Sequence, residues 1–153
     1  MRVNIQDVGF GVSQVLPIIV AGLMAGNESL LILEQPEIHL HPRLQAGIAD
    51  FLIDLAQLGR RVLIETHSDH LINRLRRRAA EDSSGKISDY LQIAFVQRDY
   101  VTLESSVEAL RVDDSGTVMN WPPSFLGDTA DELAAILKAG IEKRKRAREH
   151  EGA

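Results

Sequence analysis

Two short apolar runs, Leu30 to Leu33 and Val62 to Ile64, flank one amphipathic stretch, and this arrangement limits the possible folds more than any other feature. Leu30 to Leu33 is continuous, aliphatic and bounded by turn signals, which reads as a strand buried on both faces, and Val62 to Thr66 reads as a second β-rich apolar run. Between them Leu44, Ile48, Phe51, Leu52 and Leu55 recur at helical spacing, with Arg43, Asp50 and Asp54 off that face. Pro42 suits a first helical position, where its missing N–H is not needed, and the helix ends near Leu58-Gly59. Strand, helix and strand within about 37 residues make a βαβ unit, with parallel strands joined by a right-handed crossover. The expected fold class is therefore α/β. Both carboxyl ends lie on one edge of the sheet, where open α/β sheets bind ligands. Glu34 and His67 are thereby brought to one side of the molecule.

A buried strand that delivers a carboxylate to that edge is a common way to hold Mg²⁺ near a phosphate, and Glu34 is placed to do so. Upstream, Gly9-Phe10-Gly11-Val12-Ser13-Gln14 reads as a loop opening a helix, with Ser13 as N-cap. Pro17 then falls in the first turn, and Gly26-Asn27 stops the helix after Ala25. This helix is apolar nearly all round, which predicts that it is buried. Glycines ahead of a helix N-terminus make an anion site; alone, the same residues also read as plain punctuation.

Downstream, Ser68 is a candidate cap for a helix from Asp69 to about Arg78, with Asp69 favourable in its first turn. Arg74, Arg76, Arg77 and Arg78 form a basic run that reads as a solvated face or as a phosphate contact. Glu81 to Lys86 reads as a loop. Leu91 to Arg98 reads as a strand, Thr102 to Val107 and Ala109 to Val112 as shorter ones, Asp113-Asp114-Ser115-Gly116 as a hairpin turn, and Val118 to Trp121 as its return strand. From Asp128 to about Glu149 the pattern is helical, with Leu133, Ile136, Leu137 and Ile141 on one face. The run Lys143 to Arg146 reads as a solvated helix end or as a contact for nucleic acid or an acidic partner.

Composition removes several classes. The 153 residues suffice for one domain with a core. Without cysteine there is neither a disulfide framework nor a thiolate metal site, which suits the cytoplasm. A net charge of −5 excludes a general polycation, and 5% aromatic residues argue against a base-stacking platform. Val12 to Met24 is too short to span a bilayer, so no membrane role is expected.

Leu30 to Pro42, LLILEQPEIHLHP, resembles the Walker B strand and D-loop of ABC-type ATPases, in the branch with the OLD and SMC-like proteins. Glu34 matches the Mg²⁺-coordinating carboxylate, as glutamate for the commoner aspartate. Gln35 stands where the family places its catalytic glutamate, and an amide takes up no proton at neutral pH. Pro36-Glu37 and His39-Leu40-His41-Pro42 match the loop of that branch. DVGFGVSQVLP resembles its signature motif, and Glu65-Thr66-His67-Ser68 its switch-histidine loop. The resemblance implies ATP and Mg²⁺ as cofactors, Gln35, His67 and Glu37 as catalytic, Gly9, Gly11, Ser13, Gln14 and His41 as nucleotide-binding, and Glu34 as metal ligand. It implies a P-loop NTPase sheet with parallel strands and flanking helices, plus a small hairpin and helix extension. Ala109 to Gly127, with its Trp-Pro-Pro and Phe125, resembles a small C-terminal domain of unknown function found in one bacterial AAA/ABC ATPase family.

The expected organisation is 1–90 as the C-terminal half of an ATPase domain, 91–127 as the last strands and the small domain, and 128–153 as a helix with a basic tail. No Gly-x-x-x-x-Gly-Lys-Ser/Thr occurs, so the phosphate-gripping lysine has to come from elsewhere. A truncated gene, a fragment or a split system is expected, inactive alone and completed by an N-terminal P-loop half or a second head. A homodimer of heads with a nuclease or nucleic-acid partner follows from the same resemblance. Two other readings stay open. One is a non-catalytic module docking on intact heads through its signature helix. The other is a metal-dependent hydrolase built from Glu34, His39, His41, His67 and His70.

Overall fold

The computed structural model describes residues 10–122, 135–141 and 143. The chain divides into two compact units, Met1–Trp121 and Pro122–Ala153. The described part of the second is helical over 135–141. Gly9, Ser124 to Gly127 and the ends of the predicted C-terminal helix lie outside the described residues.

In the first unit, α1 (Phe10–Met24) leads to β1 (Leu30–Glu34), then α2 (Pro42–Gln57), β2 (Arg61–Glu65), α3 (Asp69–Glu81) and α4 (Lys86–Tyr90). The βαβ unit forms as expected: β1 and β2 are parallel, in a register running from Leu30 beside Arg61 to Glu34 beside Glu65. β3 (Ile93–Arg98) and β4 (Ser105–Leu110) make a separate antiparallel sheet. β4 is one strand where two were expected. The return segment reduces to a single bridge, Val112 to Val118. The turn between them forms as read: the Asp113 carboxylate accepts the backbone N–H groups of Ser115 and Thr117.

The core lies on one face of β1–β2. Leu31, Leu33, Val62 and Ile64 point inward against Ile48, Ala49, Leu52 and Leu55 of α2, Leu71 of α3, and Val15 and Ile18 of α1. The other face is open, with Ile32 60% and Leu63 58% exposed. For β1 this corrects the expectation of a strand buried on both faces. A continuous apolar run supplies two apolar faces, but only one meets a layer of helices here.

α1 also departs from expectation. It starts at Phe10, so Ser13 lies inside it and is not its N-cap, and Pro17 sits in its interior. Nor is it buried all round: Val12, Leu16, Val20, Leu23 and Met24 are exposed. It docks on α2 through Gly22, where a Cβ would come within 2.6 Å of Leu55 Cδ1 and 2.9 Å of Phe51 Cζ. Only a residue without a side chain allows that approach.

α2 begins where Pro42 indicated, at the first helical position, with His41 as N-cap. α3 is capped by Ser68, whose Oγ accepts the Leu71 N–H at 3.0 Å. α3 runs on to Glu81, past the predicted end. The connection to α4 is made by Asp82, whose carboxylate accepts the Ile87 and Ser84 N–H groups. Those bonds hold its carboxyl below the ordinary carboxylate range, the Ile87 amide contributing most.

Arg74, Arg76 and Arg78 of the basic run on α3 bind other parts of this unit, while Arg77 stays exposed. Arg74 makes two 2.9 Å hydrogen bonds to the Asp50 carboxylate of α2, and Arg78 approaches it at 3.5 Å. Arg77 pairs with Glu81 one turn on. Arg76 donates to the Gly116 carbonyl at 2.8 Å and lies 5.1 Å from the centre of the Trp121 ring. This last pair fastens the 113–116 turn to α3.

Candidate functional site

The carboxyl ends of β1 and β2 and the loops after them carry Glu34, Gln35, Glu37, His41 and His67 of the residues that the sequence singled out. Glu34 ends β1, and its side chain points to the exposed face. Its register partner is Glu65, which ends β2 and is also exposed. Two carboxylates therefore stand side by side at the sheet edge. Like charges placed opposite each other repel, and a hard cation between them would relieve that repulsion, so this pair fits Mg²⁺. Glu65 escaped the sequence reading, although a signal existed: Val62-Leu63-Ile64-Glu65 repeats the pattern of Leu31-Ile32-Leu33-Glu34.

The backbone turns sharply after Glu34. Gln35 has φ +44°, in the left-handed region that a non-glycine residue adopts only at a cost of about 1–3 kcal/mol. Surrounding bonds fix it there. Its N–H donates to the Glu65 carbonyl at 2.8 Å, and its side-chain amide reaches Glu65 Oε1 at 3.4 Å. Ile38 N–H then bonds back to the Gln35 carbonyl at 3.2 Å, and Leu40 N–H to the Glu37 carbonyl at 3.0 Å. His39, in the second of these turns, has φ +62°. These two reversals put Leu40 into the core and His41 at the start of α2.

His67 lies just beyond β2 and is exposed, as a group that meets a ligand must be. Its backbone is held: the His67 N–H donates to Glu37 Oε1 at 2.8 Å. Ser68 donates from Oγ to Gln45 Oε1 at 2.6 Å, and Gln45 Nε2 donates to the Leu40 carbonyl at 2.9 Å. The two loops are thus cross-linked by side chains as well as by the sheet.

Ser13, Gln14, Pro17 and Ile18 of α1 face Leu33, Glu34, Gln35 and Pro36 across a cleft of about 370 Å³. Within one chain, then, Ser13 and Gln14 share a cleft with Glu34 and Gln35. Gly11 packs over the loop, with Leu40 Cδ2 3.4 Å from where its Cβ would be. Not every candidate points into this cleft. His41 turns Nδ1 inward to accept the Arg43 N–H at 3.3 Å, which serves the helix start. Glu37 is buried. His70 sits beside Asp69 on α3, at 3.7 Å. Among the described residues no three or more His, Asp, Glu or Cys side chains are grouped to share a metal ion. Nor, among them, is any helix long and apolar enough to cross a membrane.

Residues 2–73 match the family model described as "AAA domain, putative AbiEii toxin, Type IV TA system". Among curated proteins, the chain is similar to a "Putative ABC transporter ATP-binding protein" of Methanosarcina acetivorans, 32% identical over 60 residues. The alignment covers 39% of this chain and 22% of that protein, so the chain spans about a fifth of the relative's length. No solved structure matches. The matched segment contains α1, β1, α2, β2 and the His67 loop, and the two similarities support an AAA/ABC-type ATPase family.

Proposed function

We propose that this chain carries the signature, Walker B, D-loop and switch-histidine part of an ABC-type ATPase head of the OLD/SMC-like branch. In this reading it works in the cytoplasm of a bacterium in a defence or DNA-repair-like system, and a P-loop is supplied by another segment or another chain. The observation that carries the reading is the parallel pairing of β1 with β2. It sets Glu34, Gln35 and the His67 loop on one edge, opposite Ser13 and Gln14.

In the completed head, Glu34 with Glu65 beside it would hold Mg²⁺, which neutralises charge on the transferred phosphoryl group. His67 contacts the γ-phosphate from its exposed loop. Gln35 orients the attacking water by hydrogen bonding and does not deprotonate it. Its left-handed backbone keeps the amide near Glu65 and the sheet edge. Ser13 and Gln14 bind phosphate oxygens, in their own cleft or in that of a second head.

The test is ATP binding with Mg²⁺ by calorimetry, on this chain alone and mixed with a P-loop-bearing head segment. Binding and turnover that appear only in the mixture, and are lost on Glu34→Gln, support the reading. A mixture that forms a complex but binds no ATP overturns it. A second reading, a non-catalytic module docking on intact heads, is favoured by the exposed Val12, Leu16, Val20 and Leu23 on α1. Complex formation without nucleotide binding is its signature.

A further inference from the structure

Glu37 is the one buried ionisable side chain at this edge. It is 8% exposed, and its resemblance-based role beside the reacting water requires a carboxylate in the cleft. The geometry is different. Oε1 accepts the His67 N–H at 2.8 Å, while Oε2 is buried with no protein partner. A carboxyl group in such a place carries a desolvation penalty that its bonds must offset. A neutral side chain would fill the same space at lower cost. The bond it makes crosses from the loop after β1 to the loop after β2.

Glu37 does not act alone. The Leu40–Gln45–Ser68 chain of hydrogen bonds makes the same crossing, and the Gln35 N–H to Glu65 carbonyl bond makes it at the sheet edge. Glu37 is the link that ends on His67 itself.

We infer that Glu37 is a positioning residue for His67: its buried carboxyl group pins the His67 amide, so that the loop after β1 and the histidine loop move as one body. The inference rests on the proposed ATPase reading for what His67 does, but not for how His67 is held. Displacement of Pro36 to Pro42, as when a second head docks there, is carried through Glu37 to the imidazole.

The experiment is amide hydrogen exchange and ¹H–¹⁵N NMR on the full chain without nucleotide, for the wild type, Glu37→Gln and Glu37→Leu. The observable is His67 exchange relative to that of Leu52 in the core. Loss of one such bond raises that ratio by about tenfold or more in Glu37→Leu. Glu37→Gln keeps an acceptor oxygen and restores protection, while the His67 amide proton resonance shifts because its acceptor changes from a carboxyl to an amide oxygen. An unchanged ratio in Glu37→Leu overturns the inference. If that variant does not fold, Glu37→Gln decides: an amide shift confined to His67 and Ser68 supports it, and an unshifted His67 overturns it. In a completed, active head, Glu37→Leu should lower kcat with little change in KM for ATP. Absence of ATP turnover in the wild-type mixture would sink the ATPase reading and leave the exchange result standing.

Discussion

Gly22 sets how closely α1 approaches α2, and Gly22→Ala tests that contact. Carbon atoms rest about 3.5–4.0 Å apart, whereas the new methyl would lie 2.6 Å from Leu55 Cδ1. Leu55 or the whole of α1 must then retreat by about 1 Å. Leu55 is 1% exposed and packed on all sides, so it cannot swing away. Overpacking of this kind costs about 1–3 kcal/mol. Against that, alanine gains about 0.8–1.0 kcal/mol over glycine in a helix interior. The net expectation runs from about neutral to 2 kcal/mol destabilising. Gly47→Ala is the matched control. Gly47 also lies inside a helix, and its Cβ would meet nothing within 4 Å, so that variant should stabilise by the full ~1 kcal/mol. Urea denaturation followed by circular dichroism gives both values, and their difference isolates the packing term at about 1–3 kcal/mol. Thermal midpoints should separate in the same sense, by about 2–4 °C per kcal/mol. Equal stabilisation by the two variants would refute the close approach of α1 to α2, and with it the placement of Ser13 and Gln14 beside Glu34.

Three further outcomes are expected. In a completed head, Gln35→Glu should raise kcat if chemistry limits the rate, since it restores a group that accepts a proton; unchanged single-turnover rates would show that residue 35 does not face the attacking water. Asp82 and Asp113 have folded pKa values held below the ordinary range, Asp82 by the Ile87 amide and Asp113 by the Ser115 hydroxyl first. Their stabilisation is present above the unfolded value of about 3.9 and is lost as pH falls through the lower folded values. Stability measured from pH 5 down should therefore fall, and the fall should be shallower in Asp82→Asn. Asp50→Ala leaves Arg74 and Arg78 without their carboxylate and should destabilise the α2–α3 pairing; the loss should shrink as salt is raised, because these groups are part-exposed and screened.

The parts of the fold visible in the chain were those written in local chemistry. Pro42 and Ser68 mark their helix starts because each meets a need of the first turn, and Asp113 to Gly116 carries the hydrogen bonds of its own turn. The parallel pairing of β1 with β2 follows from chain length and periodicity, and it brought Glu34 and His67 to one edge. What escaped depends on who meets whom. Ile32 read as buried because an apolar side chain does not announce whether a layer covers it. Ser13 read as a cap, yet the helix extends to Phe10 through a stretch whose propensities do not mark a start. Arg74, Arg76 and Arg78 read as solvated because Asp50 and Gly116 lie far off in sequence. Glu37 read as a reacting group for the same reason: its partner is an amide about 30 residues away, and no local pattern encodes that burial.

The open face of β1–β2 has a calorimetric consequence. Leu30, Ile32 and Leu63 are already more than half hydrated in the folded state, so unfolding adds less apolar hydration than it would for covered side chains. The heat-capacity increment of unfolding, which tracks newly exposed apolar area, should be small for this chain's length, and its stability curve correspondingly flat. The missing increment is deferred rather than lost. A partner that covers this face should bind with a pronounced negative heat-capacity change, and Ile32→Ser would reduce that change while scarcely altering the unfolding of the chain on its own.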